Sequence, residues 1–218
     1  MSEERRRKLL SVTGVVPLAA WLAFHLFEVG SATGGRRAFA ASLTGADGGA
    51  FPLVLETVLV LVPLAVHGAL GVWVTATDRP VVADGYASAG ARVLSRAAGV
   101  GVLLFLVVHL GHTWVAKLGG AGAEVLYDVL RGSVGQPLYV LVYVVGVTCV
   151  AFHLGLGLGA LPRVWGVPRT DGGRRAARGV AVALGAIVWI ASMNTLSHFA
   201  VGRAFIGGSS APESEVEP

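Results

Sequence analysis

Five apolar runs, each long enough to cross a bilayer, constrain this chain more than any other feature. They fall at about residues 9–30, 52–77, 94–118, 135–162 and 176–200. About 20 apolar residues in a helix span the hydrocarbon core. Inside lipid, each backbone N–H and C=O must find its partner within its own segment, so helix is the predicted state of every run. The expected fold class is an all-α membrane protein, a five-transmembrane-helix bundle over residues 1–200. The remainder, 201–218, ends in "GGSSAPESEVEP", which is small and acidic and is expected to be disordered.

Composition agrees and excludes several classes. Hydrophobic residues make up 54% of the chain and charged residues 14%, against roughly a quarter charged in a soluble domain. The single cysteine, Cys149, lies inside an apolar run. It excludes an internal disulfide, a C-x-x-C-H haem attachment site and a cysteine-ligated iron–sulfur cluster. The net charge of +4 is shared among several loops, so nucleic acid is not an expected partner. The start, "MSEERRRKLLSVTGVVPLAAWLAFHLF", is basic and then apolar like a signal peptide. Its apolar run is too long for one and lacks a small-residue cleavage site, so it reads as a retained first span.

The connections are short and polar: "SATGGRRAFAASLTGADGGA", "DRPVVADGYASAGAR", "GGAGAEVLYDVLRGS" and "RVWGVPRTDGGRR". Pro52 and Pro137 stand near helix starts, where a missing N–H costs little. Lys and Arg divide unevenly between the two sides. Twelve fall with the N-terminus and the second and fourth connections, and five on the other side. The positive-inside rule predicts a cytoplasmic N-terminus and an external C-terminus.

All six histidines lie in or at the ends of the runs: His25, His67, His109, His112, His153 and His198. An ionisable residue inside a membrane is by default a functional candidate. Four consecutive runs carry one near-equidistant histidine each, at 25, 67, 109 and 153. Because the helices alternate in direction, depths can be compared. His25 and His109 fall in the outer half, His67 and His153 in the inner half. Two opposed imidazoles at one depth are what bis-histidine haem ligation requires. Gly71 and Gly157, each four residues after a histidine, share its face and leave room for a flat ring. The local patterns "AVHGALG" and "AFHLGLG" are alike. A zinc or copper site would gather three or four ligands at one depth, which two depth pairs do not do. Cytochrome b of the bc type takes two ligands from each of two helices, unlike the one per helix here.

The chain resembles the di-haem cytochrome b subunit of succinate:menaquinone oxidoreductases and fumarate reductases, of the single-polypeptide five-helix type. The resemblance runs to about residue 200. It rests on "RRKLLSVTGVVPLAAWLAFHL", "LETVLVLVPLAVHGALGVWV", "SRAAGVGVLLFLVVHLGHTW" and "VGVTCVAFHLGLGLGAL", in that order and spacing. It implies two b haems as cofactors. His67 and His153 would hold the proximal haem near the cytoplasmic side, and His25 and His109 the distal haem near the outer side. It implies an iron–sulfur subunit docked on the cytoplasmic face, itself bound to a flavoprotein that oxidises succinate. The implied location is the bacterial cytoplasmic membrane. No residue of this chain can oxidise a dicarboxylate, so its own chemistry would be electron transfer and quinone reduction.

The resemblance also implies menaquinone, or another quinone, near the distal haem. Quinone reduction takes up two protons, so protonatable groups are expected there. Glu28, Asp47, Glu56, His112 and His198 map to that side. One fumarate reductase branch has a glutamate two residues before the fourth ligand. Here that position is Ala151, which argues against a transmembrane proton path of that kind. Arg96 and Arg163, at inner helix ends, are candidate partners for haem propionates or for the docked subunit. Trp73, Trp114 and Trp165 read as interfacial belt residues. Two other classes remain open: a stand-alone b561-like di-haem reductase, and a haem-free transporter with a histidine proton relay. In "VVHLGHTW" the depth argument assigns His109 to iron and leaves His112 for protons or quinone. The reverse register is the competing alternative.

Overall fold

The computed structural model describes residues 2–43, 54–77 and 86–207. Every regular element among them is helical. Five helices are long and apolar enough to cross a membrane: Glu4–Gly34, Val54–Thr77, Ala89–Leu118, Pro137–Trp165 and Asp171–Val201, here spans 1 to 5. The chain is a multi-pass membrane protein. Its exterior carries large apolar side chains that water would not tolerate in such number, such as Phe27 at 74% and Val107 at 73% exposed.

Local chemistry sets where the spans begin and end. The Ser88 hydroxyl caps span 3 by accepting from the Ala91 N–H, and Thr170 caps span 5 by accepting from Gly173. Pro137 opens span 4, where its missing N–H has no intrahelical role. Spans 4 and 5 close on Gly166 and Gly202 at φ 68° and 75°, a left-handed turn that glycine adopts without strain. Spans 1 and 2 are not uniform α-helices. Gly14–Ala19 and Thr57–Leu61 are π-helical. Pro17 lies inside the first of these turns, where it lacks an N–H and crowds the carbonyl four residues earlier. Pro63 follows the second.

The end of the bundle near residues 4, 77, 89, 165 and 171 is called the near end below, and the opposite end the far end. Span 4 packs most extensively on spans 5 and 3. It meets span 5 at Gly155 and Gly185, where a Cβ on Gly185 would stand 2.9 Å from the Ala151 carbonyl oxygen. Such close approach is how small residues join membrane helices. Span 1 packs on span 2 with its near half and on span 5 with its far half. The pair of spans 1 and 2 touches the pair of spans 3 and 4 only sparsely.

Two connections read as polar loops contain helices. Arg36–Ser42 and Ala123–Val134 lie across the far end. The second buries Ala123, Leu126, Tyr127, Leu130 and Val134, one helical face. That face joins Phe39, Leu196 and Phe199 in the main apolar cluster. Asp128 on its other side pairs with Arg36. Tryptophans mark both ends beside cations: Arg6 over Trp73 and Lys8 over Trp165 at the near end, Lys117 over Trp114 at the far end.

Candidate haem centres

Both close histidine pairs cross the sparse seam between the two helix pairs. His25 of span 1 faces His109 of span 3, ring centroids 5.9 Å apart and planes at 80°. His67 of span 2 faces His153 of span 4 at 6.1 Å and 76°. The first pair is nearer the far end and the second nearer the near end. Among the described residues no group of three or more His, Cys, Asp or Glu could hold a metal ion.

Hydrogen bonds orient three of the four rings. His67 Nδ1 lies 3.2 Å from the Leu10 carbonyl oxygen and 3.3 Å from the Thr13 hydroxyl. His153 Nδ1 lies 3.1 Å from the Ser95 carbonyl oxygen. A carbonyl can only accept, so Nδ1 carries the proton in both rings, and Nε2 keeps its lone pair. Ligating histidines are oriented in this way by their other nitrogen. His109 Nδ1 is 3.5 Å from the Tyr143 hydroxyl.

Aromatic neighbours fix the other pair. Trp21 stacks on His25 at 4.6 Å and 12°, and Phe105 stacks on His109 at 5.4 Å and 28°. Each aromatic precedes its histidine by four residues, one turn along the same face. Gly146 makes room for the Phe105 ring.

The remaining candidates meet separate surroundings. His109, and not His112, is the residue of span 3 brought to His25. His112 turns to span 4, with Nδ1 3.4 Å from the Tyr143 hydroxyl and its ring 4.7 Å from that of Tyr139. The Tyr143 hydroxyl therefore stands between His109 and His112. His198 is 7% exposed, and its Nε2 lies 2.8 Å from the Tyr127 hydroxyl under the 123–134 helix. Arg131 donates to the His198 carbonyl. Glu28 is 8% exposed, and its backbone carbonyl accepts from Ser31 and Ser42. Glu56 pairs with Lys117 at 2.7 Å. Asp47 lies outside the described residues. At the near end Arg163 donates to the Tyr86 carbonyl, and Arg96 follows Ser95, whose carbonyl receives His153. Gly71 and Gly157 have open space beside them: apart from its own helix backbone, a Cβ on Gly157 would meet nothing within 4 Å, and one on Gly71 only Leu10 Cδ1, at 4.0 Å.

Sequence reasoning missed two glycines in contact with the rings. A Cβ on Gly14 would come within 2.7 Å of His67 Cε1, and one on Gly99 within 3.1 Å of His153 Cε1. It also missed Tyr143, a tyrosine in an apolar span, whose polar tip could have drawn attention.

Five membrane-crossing helices, with two facing imidazole pairs across one seam, define a helical membrane protein of paired intramembrane histidines. The chain is similar to the succinate dehydrogenase cytochrome b558 subunit of Bacillus subtilis (strain 168). The two are 30% identical over 170 residues, covering 78% of this chain and 83% of that protein. The chain belongs to the family of succinate dehydrogenase cytochrome b558 subunits. No family model matches it, and no solved structure does.

Proposed function

We propose that this chain is the membrane anchor and electron conduit of a succinate:quinone oxidoreductase. It would hold two b haems, the proximal between His67 and His153 and the distal between His25 and His109. The carrying observation is the spacing of the two ring pairs. Two imidazole nitrogens on opposite faces of one metal, each at about 2 Å, stand about 4 Å apart. Adding roughly 1 Å from each nitrogen to its ring centre gives about 6 Å between centroids. The pairs measure 5.9 and 6.1 Å. The proton held on Nδ1 of His67 and His153 leaves Nε2 free for iron, as ligation needs.

Haem held at these positions would supply one-electron transfer between an iron–sulfur partner and a quinone. The chain's own residues do the rest. The Leu10 and Ser95 carbonyls hold the proximal imidazoles in one tautomer. Trp21 and Phe105 hold the distal rings from one side. Arg96, next to Ser95 in sequence, and Arg163, which donates to the Tyr86 carbonyl, are the candidate partners for a propionate or the docked subunit.

Quinone reduction belongs at the far end, with menaquinone as the quinone. There His112 and Tyr143 would link the His109 ring to the interface, with Glu28 and His198 as further proton-handling candidates, and Asp47 is a candidate from the sequence. The basic residues support a cytoplasmic near end in a bacterial inner membrane, where the iron–sulfur and flavoprotein subunits would dock.

The test is purification in mild detergent, with a reduced-minus-oxidised spectrum and an inventory of co-purifying subunits. Two b haems per chain together with a flavoprotein and an iron–sulfur protein are expected. Haem without those partners would point to a stand-alone reductase, and no haem to a haem-free transporter.

A further inference from the structure

Spans 1 and 3 treat the histidine of the following span in the same way. In span 1 the Leu10 carbonyl faces His67 Nδ1, and Gly14, four residues on, lies beside the Cε1 edge of the same ring. In span 3 the Ser95 carbonyl faces His153 Nδ1, and Gly99, four residues on, lies beside the Cε1–Nδ1 edge of that ring. Further along each span an aromatic residue stacks on a histidine four residues later: Trp21 on His25, Phe105 on His109. The two series differ by one residue, which falls between the glycine and the aromatic. That is where span 1 is π-helical, over Gly14–Ala19, while span 3 is α-helical throughout. A π turn absorbs one extra residue within an α-helix. Spans 1 and 3 thus present the same order of carbonyl, glycine, aromatic and histidine, with one extra residue in span 1.

We propose that Leu10 with Gly14, and Ser95 with Gly99, are two copies of one positioning device that sets the tautomer and plane of the proximal-haem imidazoles. The inference rests on the ligand assignment above. The carbonyl fixes which nitrogen carries the proton. The glycine lets the helix backbone lie against the ring edge, so the ring cannot turn towards it. A methyl group at Gly14 would meet His67 Cε1 at 2.7 Å, a distance that something must relieve. At Gly99 the 3.1 Å approach to both Cε1 and Nδ1 of His153 requires a few tenths of an ångström of give. In both cases the flexible partner is the imidazole, so its plane should turn.

The experiment compares Gly14→Ala, Gly99→Ala and Gly179→Ala in the purified complex, with His67→Ala and His153→Ala as ligand controls. Gly179 is a helical glycine of span 5, and a Cβ there would meet nothing within 4 Å beyond its own helix backbone. The readouts are the low-temperature EPR signal and the midpoint potential of each haem. In Gly99→Ala the signal lost in the ligand controls should move while the other haem stays unchanged. Gly14→Ala should move the same signal further, or lose it. Gly179→Ala should change neither. Unchanged signals in both glycine variants, or equal changes at the two haems, would overturn the inference. Should Gly14→Ala not assemble, the milder Gly99→Ala decides alone. If His67→Ala and His153→Ala keep both haems, the ligand assignment itself has failed, a result distinct from silent glycine variants.

Discussion

Single residues carry the sharpest expectations. Replacing His67 or His153 with Ala should remove one haem signal, and replacing His25 or His109 the other, each halving the b-type absorbance. By contrast, His112→Ala and His198→Ala should leave both haems bound. Tyr143 stands between the ligand candidate His109 and His112, one turn nearer the far end. Were His109 to hold iron through Nε2, its Nδ1–H would donate to the phenol and the imidazole would become a better donor to ferric iron. Tyr143→Phe should therefore raise the distal haem's midpoint potential. A neutral hydrogen bond is worth about 1 kcal/mol. At about 59 mV per factor of ten for one electron, the rise should be of order tens of millivolts, read by redox titration. A fall, or a change at the proximal haem alone, would contradict this role. The near-perpendicular ring planes, 80° and 76°, also predict strongly anisotropic low-spin EPR signals for both haems rather than the rhombic spectrum of parallel imidazoles.

At the level of elements, the π turn in span 1 makes a prediction of its own. Deleting Pro17 removes both the extra residue and the helix break, so Gly14 and His25 would take the spacing that Gly99 and His109 have in span 3. Both haems should survive, as read by haem content per chain. Deleting Leu104 from the uninterrupted α-helix of span 3 should instead rotate His109 about 100° off its face and cost the distal haem. The contact of spans 4 and 5 is equally specific. A side chain at Gly185 has no room against the Ala151 carbonyl. Gly185→Leu should lower the thermal midpoint of the detergent-solubilised protein, by overpacking of about 1–3 kcal/mol. The spans themselves were legible because an unbroken apolar run needs no periodicity to be recognised. The helices at 36–42 and 123–134 are hidden in the sequence because each is short and flanked by the glycines of its connection, Gly34 and Gly35 before the first and Gly119, Gly120, Gly122 and Gly135 around the second. The buried face of the second, at 123, 126, 127, 130 and 134, has helical spacing that a closer reading of periodicity could have found.

Across the whole molecule, the seam between two helix pairs explains why depth alone could suggest which histidines face each other. A four-residue glycine rule drew attention to Gly71 and Gly157, yet the glycines that touch imidazoles are Gly14 and Gly99. Their identity could not be read from a chain with 31 glycines, because each touches a histidine on another span, a contact with no local signature. Asp47 falls outside the described residues, so its role rests on sequence alone. The central claim is the pairing of four histidines into two haem centres, and haem content per chain in double variants tests it most directly. His67→Ala with His153→Ala should leave one haem, as should His25→Ala with His109→Ala. His25→Ala with His67→Ala should leave none. One haem retained in that last variant, or none in the first two, would contradict the pairing.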